Sequence, residues 1–338
     1  MALAFVTGAN GFIGQNFVRA LIGRGDDVVC LVRDVGRGDG LKKKGARLVV
    51  GSLNQPHTFR DALHECEVVY NLAGLTRSLV ADELYFVNEV GTRNLAEACA
   101  ARLTPPTFVQ VSSLAASGVS QIGKPRDETF INEPVSEYGR SKLAGELALL
   151  PFAAHMPITV LRPPMVLGPG DRISMDMFRI MRRFHFHVML GRGRNEYAWV
   201  DARDLSTAMI AAGQNGERVT AEGHPQGRGI YFVNNVDRTT YIELGSQISV
   251  ALGGVRYLHA PVPAFLMHRA AKWATVLAAQ SGKQEAPYLN RDKAHEIIAG
   301  SWSSTSAKIR NQLGFTPPVA PLQRLREIAE WYQNKGWI

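Results

Sequence analysis

Three residues and a glycine-rich turn stand at spacings from which a chemistry can be read. Tyr138 stands four residues before Lys142 in EYGRSKLAGE, and residues four apart share one face of a helix. Neither side chain is an anion at neutral pH, so an ion pair does not explain the spacing. A free phenol titrates at about 10, too high for a good base near neutrality. An adjacent ammonium favours phenolate and lowers that value, which would make the pair a tuned proton donor and acceptor. Upstream, the apolar run TFVQVSS ends in Ser112 and Ser113. The Ser113 hydroxyl is placed to bond a reacting oxygen together with Tyr138. A Tyr-x-x-x-Lys alone also suits a surface helix, so the reading rests on all the parts in order.

The other part is VTGANGFIGQNF, where Gly8, Gly11 and Gly14 join an apolar run to a helical pattern. Glycines there permit a tight turn and let backbone N–H groups approach a pyrophosphate at a helix N-terminus. The expected cofactor is a nicotinamide dinucleotide. Chains that choose NAD usually end the second strand with an acid that binds the ribose hydroxyls. Here the run ends CLVRD, and the Arg33 guanidinium suits a 2′-phosphate. Asp34 competes and Arg37 is a second candidate clamp. NADP(H) is the preferred expectation, NAD(H) the alternative. The bland reading of Arg33 is a solvated loop charge.

These groups need a scaffold, and the first half of the chain supplies one. LAFVTG, DVVCLVR, RLVVG, EVVYNLAG and TFVQVSS read as buried strands, with helices expected from Phe12, Pro56, Asp82 and Ser136 and a further strand at ITVLRP. Such alternation predicts an α/β protein with a doubly wound parallel sheet. The cofactor domain is expected over 1–167 and a substrate-binding region over 168–338. YAWVD and GIYFVNN are the clear strands of that second part, and parts of 198–238 are expected to return to the sheet.

Hydrophobic residues at 46% and charged residues at 20% are ordinary for a globular chain. The balance of +8 points toward anionic ligands, but no zinc-finger spacing or aromatic-basic repeat supports nucleic acid. Cys30, Cys66 and Cys99 lie far apart without a C-x-x-C, which argues for a reducing compartment and against a metal cluster. His185 and His187 lack a carboxylate or cysteine at ligand spacing and read as packing or surface residues, so no metal is expected. The first strand starts near Met1 with no charged-then-apolar leader, and a cytoplasmic location is expected. AFLMHRAAKWATVLAAQ carries Arg269 and Lys272 and is too short to span a bilayer. Leu266, Ala270, Trp273 and Leu277 recur in it at helical spacing, as domain core, as the wall of an apolar pocket or as a membrane-facing stripe.

TGANGFIG, NLAG, VNEVGTRNL, VSSLAASG, YGRSK, LRPPMVLGPGD, WVDARDL and the closing LGFTP with WY together resemble the extended short-chain dehydrogenases/reductases, the NAD(P)-dependent epimerase/dehydratase family. The resemblance covers nearly the whole chain and implies a Rossmann-like fold. It implies that Gly8, Gly11 and Gly14 hold the pyrophosphate beside Phe12 and Ile13. Ala73 and Gly74 would line the cofactor groove, and Asn88 would support the active-site helix. Ser113, Tyr138 and Lys142 would be the catalytic set, with Lys142 also on the nicotinamide ribose, and Pro163 to Val166 would flank the nicotinamide. Many members carry Asp after the third-strand glycine to meet the adenine; here Ser52 and Leu53 stand at that place. The tyrosine of the common V-Y-G-P motif is Leu167.

Sugar dehydratases of the family follow the catalytic hydroxyl with Asp-Glu, whereas this chain has Leu114 and Ala115, which cannot move protons. Nucleotide-sugar epimerases usually clamp a diphosphate with an arginine where this chain has Asn195, although Arg192 and Arg194 are near. RRFHFHVMLGRGR could otherwise clamp any anion or be a solvated helix face. The VRD ending resembles dihydroflavonol-type reductases, and the apolar segment from Pro263 with PYLNRDK resembles hydroxysteroid dehydrogenase-like members. The expected reaction is reversible hydride transfer to a ketone of a mid-sized, partly apolar small-molecule substrate. The alternatives are a nucleotide-sugar epimerase with tightly held NAD and a non-catalytic cofactor-sensing protein. Similar proteins commonly form homodimers through helices matching Asp82–Arg102 and Ser136–Leu150, and a homodimer is expected here.

Overall fold

Continuous runs such as AFV, VVCLV and VVY have no polar face, and a strand of that kind is stable only when both sides of its sheet are covered. A computed structural model describes residues 2–223, 225–281 and 286–338; the side chains of Arg37 and Pro225 lie outside the described residues. The strands are β1 (Leu3–Thr7), β2 (Asp27–Val32), β3 (Arg47–Val50), β4 (Val68–Asn71), β5 (Thr107–Val111), β6 (Ile158–Arg162), β7 (Met165–Leu167), β8 (Phe186–Leu190), β9 (Glu196–Asp201), β10 (Ile230–Phe232), β11 (Val236–Thr240) and β12 (Leu258–Val262). The helices are α1 (Phe12–Arg24), α2 (Val35–Lys42), α3 (Ala81–Tyr85), α4 (Gly91–Ala100), α5 (Glu137–Leu147), α6 (Met175–Phe184), α7 (Ala202–Asn215), α8 (Tyr241–Ala251), α9 (Ala264–Gln280), α10 (Arg291–Ala299), α11 (Ala307–Leu313) and α12 (Pro321–Asn334). A π turn, Phe86–Val90, joins α3 to α4.

Seven strands form one sheet in the order β10-β6-β5-β4-β1-β2-β3, every pair parallel. Phe5 of β1 stands opposite Val29 on one side and Val69 on the other. The chain winds outward in both directions from β1. The crevice beyond the carboxyl ends of β1 and β4 is therefore the place where such sheets bind ligands. One face is covered by α1 and α7, which bury Phe17, Leu21, Leu205 and Met209. The other carries α4, with Leu95 and Cys99 packed on Phe108 and Ile158. A separate core of Phe178, Trp199, Leu244, Leu325 and Tyr332 sits among α6, β9, α8 and α12. From the second half of the chain, β10 takes the sheet edge beside β6 and α7 packs on α1.

Local expectation and structure part at three places. The helix expected from Pro56 is two short 3-10 turns, Pro56–Thr58 and Asp61–Leu63. Thr58 Oγ1 donates to Gln55 O at 2.6 Å and accepts from Ser52 N at 3.2 Å, which ties the chain into turns. In contrast, VGRGDGLK forms α2 despite Gly36, Gly38 and Gly40. The Asp34 side chain caps it from Gly36 N at 2.8 Å, and Leu41 anchors it in the core. The stripe Leu266–Trp273–Leu277 is not domain core: Trp273 is 63% and Leu277 60% exposed. The buried face of α9 is Ala271 and Ala278.

His187 is buried, its ring stacked on Tyr241 at 4.9 Å and its Nε2 2.9 Å from Tyr241 O. His185 is exposed and ends α6 in a left-handed conformation. The three cysteines are buried free thiols, and burial pushes Cys30 up to about 12 and Cys66 up to about 11.

Candidate active site

The glycine turn is built around close approach. Gly8 has φ +66°, and a Cβ there would sit 2.6 Å from the Leu72 carbonyl. A Cβ at Gly14 would sit 2.2 Å from Gly8 O. Gly11 N donates to Gly8 O at 3.0 Å and starts α1, whose first turn has no side-chain cap and no acid. Backbone donors at a helix N-terminus, with no carboxylate to repel an anion, fit a pyrophosphate. Phe12 lies against Gly168, and Ile13 packs on the sheet.

A buried polar ladder sets the strand ends beside this turn. Thr7 Oγ1 donates to Asn71 Oδ1 at 2.6 Å and accepts from Ala73 N at 3.0 Å. Asn71 Nδ2 donates to Thr92 Oγ1 at 3.0 Å and Gln110 Oε1 at 2.8 Å. The segment after β4 is held by Asn88, which accepts from Leu75 N at 2.8 Å and donates to Leu75 O and Ser141 Oγ, both at 2.9 Å. Asn88 thus joins the Ala73–Gly74 segment to α5.

Of the other expected cofactor residues, Arg33 is exposed at the tip of β2, and Asp34 beside it is engaged as the α2 cap. Ser52 and Leu53 form a turn after β3: Ser52 Oγ accepts from Asn54 N at 3.4 Å, and Leu53 O accepts from Asn94 Nδ2 at 3.0 Å. Pro163 is buried, its carbonyl accepting from Leu114 N at 2.9 Å, and Val166 in β7 packs half-buried on the core.

Helix α5 carries the tyrosine and the lysine, and its start is unusually well anchored. Ser136 Oγ accepts from Gly139 N at 2.9 Å and donates to Glu296 Oε1 at 2.6 Å. Asp292 accepts from Glu137 N at 2.7 Å and Tyr138 N at 3.1 Å. Three donors that a helix N-terminus leaves open are thus satisfied, two of them by α10. Gly139 lets α5 close on the 3-10 turn Leu114–Ala116 that follows β5, since a Cβ there would sit 2.4 Å from Ala115 O.

Within this frame Ser113, whose Oγ accepts from Ala115 N at 3.1 Å, lies near enough to Tyr138 to act on its phenol. Desolvation pushes the Tyr138 phenol above its ordinary value, with the Ser113 bond and the Lys293 charge acting downward and Glu296 upward. Lys142 is buried and donates from Nζ to Val111 O at 2.8 Å, at the end of β5. Burial pushes it down to about 8, against an upward pull from Glu146. The Lys142 ammonium has a carbonyl acceptor, and the Lys293 charge also bears on the phenol.

Lys293, with Asp292 and Glu296, is what sequence reasoning missed. Its Nζ lies 2.5 Å from Glu296 Oε2, and its charge acts on three phenols, Tyr138, Tyr197 and Tyr288. Burial opposes that charge, but Glu296 and the phenols outweigh it and raise the Lys293 pKa. The only signal in the sequence was NRDKAHE, a cap residue followed by Lys and Glu three apart on a helix. Asn195, standing where the resemblance expects an arginine, accepts at its backbone carbonyl from Tyr241 N at 3.2 Å. Arg179 of the basic segment is paired with Asp176 at 2.6 Å on the surface.

Beneath the site, Glu146 and Arg162 form a fully buried bidentate pair, Nη2–Oε2 at 2.6 Å and Nε–Oε1 at 3.0 Å. Ser112 also donates to Glu146, and Arg162 Nη1 donates to Asn132 Oδ1 at 2.8 Å. On the outer surface between α4 and α5 runs a groove lined by Glu89, Arg93, Leu147 and Phe152, with Phe86 and Leu147 exposed. It lies on the helices that the resemblance assigns to a partner copy.

Residues 4–224 match the model of the NAD dependent epimerase/dehydratase family, and the chain belongs to that family. A ceramide reductase of Caulobacter vibrioides is 26% identical, covering 98% of this chain and 95% of that one. A 2-alkyl-3-oxoalkanoate reductase of Shewanella oneidensis is 25% identical, covering 96% and 85%. Among solved structures, dTDP-glucose 4,6-dehydratase of Bacillus anthracis in complex with NAD has a TM-score of 0.76 at 19% identity, covering 100% of this chain and 98% of that one. The chain is thus an NAD(P)-dependent oxidoreductase or epimerase by family, on a Rossmann-like fold. No helix among the described residues is long and apolar enough to cross a membrane.

Proposed function

We propose that the protein reduces a ketone on a mid-sized, partly apolar substrate, reversibly, with NADP(H). The observation that carries this reading is the gathering of Ser113, Tyr138 and Lys142 beyond the carboxyl end of β5, in a chain whose glycine turn is shaped for a dinucleotide. When bound, the nicotinamide coenzyme supplies the hydride that the carbonyl carbon accepts. Tyr138 gives its proton to the carbonyl oxygen, and Ser113 holds that oxygen in line. A phenol raised by desolvation stays protonated at neutral pH, which suits a donor. Ser113 and the Lys293 charge stabilise the phenolate until water reprotonates it. Lys142 and Asn88 position the coenzyme side of the site.

Three features favour reduction of an apolar ketone over sugar chemistry. Leu114 and Ala115 are buried apolar residues where a dehydratase needs acids. Asn195 stands where an epimerase places the arginine of its diphosphate clamp. The two sequence relatives above are both named as reductases, one of them of a 3-oxo compound, whereas the dehydratase likeness lies below the identity at which it speaks for more than fold.

The NADP(H) preference rests on Arg33, exposed at the β2 tip, and on Asp34 being engaged by α2. Arg33→Ala should weaken NADP(H) binding about tenfold, the scale of one charge-assisted phosphate contact, and leave NAD(H) affinity unchanged. Titration of both coenzymes measures this; equal losses for the two would contradict it.

Lys142 gives the pH dependence its sign. With its pKa lowered to about 8, the ammonium is present below that pH and lost as pH rises through it. For ketone reduction, kcat/KM should therefore fall along an alkaline limb near pH 8, since this parameter reports the free enzyme. Lys142→Arg stays charged throughout and should shift that limb by more than one pH unit upward. An unmoved limb would assign it to another group.

A further inference from the structure

Two stretches of the chain contain no aspartate or glutamate: residues 177–195 and residues 244–284. With 30 acidic residues in 338, runs of this length would ordinarily carry several. The first holds Arg179, Arg182, Arg183, Arg192 and Arg194; the second holds Arg256, Arg269, Lys272 and Lys283. The fold joins them, because β8 of the first pairs in parallel with β12 of the second, Leu258 opposite Phe186 and Ala260 opposite Val188. Phe186, Val188 and Leu258 share one strand face and are all exposed.

Strand β12 passes through Pro263 directly into α9. The exposed side of α9 carries Leu266 (47%), Trp273 (63%) and Leu277 (60%). Their spacing, with Ala270, makes one apolar stripe, and Arg269 and Lys272 lie beside it. Its buried side is small, Ala271 and Ala278, and its main neighbour is α10. The wide side chains of α9 thus face outward and the narrow ones inward, the reverse of a helix built only to fill a core.

We propose that the surface formed by β8, β12 and α9 rests on an anionic lipid bilayer. Trp273, Leu266 and Leu277 would enter the headgroup boundary, where an indole finds both apolar and polar surroundings. Arg256, Arg269 and Lys272 would meet lipid phosphates, with no carboxylate in either stretch to repel them. A second copy of this chain is the poorer occupant, because Arg256, Arg269 and Lys272 of one copy would meet their like on the other, and neither stretch offers a carboxylate to pair with them. The inference does not depend on the hydride-transfer reading, and its readout is binding alone.

The test uses the full chain with vesicles of phosphatidylcholine alone and of phosphatidylcholine with phosphatidylglycerol. Co-sedimentation with the anionic vesicles is expected, weakening as salt is added, with a blue shift of tryptophan emission. Binding to the neutral vesicles should be at least about tenfold weaker, as should binding of R269E/K272E to the anionic ones, given the contribution of each basic residue near such a surface. L266S/W273S/L277S should lose binding and the blue shift while keeping the wild-type thermal transition and coenzyme affinity, since these side chains are exposed. No binding to either vesicle would overturn the proposal. So would anionic binding that both variants retain, or lipid-free self-association abolished by the triple variant, which would assign the face to a second copy.

Discussion

Tyr138→Phe should lower kcat for ketone reduction roughly 10²–10⁴-fold, the usual span for removing a positioned general acid, while leaving the coenzyme Kd within about twofold. The substitution removes one oxygen and keeps the ring. The helix frame around it stays, because Asp292 and Ser136 hold the start of α5 through its backbone. The dinucleotide cradle at Gly8 to Gly14 is untouched. The loss should therefore fall on kcat with KM little changed, as for a group whose contribution is made in the transition state. Fluorescence titration with NADPH and steady-state rates on one ketone measure the two quantities. A variant that turns over at the wild-type rate would remove Tyr138 from the mechanism. A variant that no longer binds coenzyme would place it in the cofactor site instead.

Arg162→Met should destabilise the fold by about 3–5 kcal/mol, because it leaves the Glu146 carboxylate fully buried without its guanidinium. The double variant Arg162→Met/Glu146→Leu should recover most of that loss, since two apolar side chains of similar volume need no counter-charge. The same double variant removes the upward pull of Glu146 on Lys142, so its alkaline activity limb should move to lower pH. Urea unfolding of the four-member cycle and pH profiles of the folded members give both results. A single variant as stable as the wild type would mean that the pair is not what holds β6 against α5.

Much of the architecture was legible because buried parallel strands write themselves as unbroken apolar runs. The glycine turn could be read because close approach leaves few alternatives to glycine at positions 8 and 14. The positions of Ser113 and Tyr138 were legible because one lies on a strand exit and the other in the first turn of the next helix. Position in sequence did not tell what each charge would meet. Lys142 shares a face with Tyr138 in any helix, but burial made its ammonium take the Val111 carbonyl. The carboxylate that holds the Tyr138 N–H comes from Asp292 of α10, more than 150 residues away, and no local spacing encodes that contact. Helix α2 was invisible for the opposite reason: three glycines argue against a helix, and a cap with one buried leucine outweighs them. The stripe on α9 shows the limit of periodicity, which finds an apolar face without saying which way it points.

The most direct test of the account is transfer of isotope from 4-deuterated NADPH to a ketone, measured on the product of the best substrate from a panel of steroid 3-ketones, long-chain 3-ketones and UDP-sugars. The account predicts one deuterium on the new carbinol carbon for each NADPH oxidised. A sugar whose configuration inverts with no net oxidation of NADPH would contradict it.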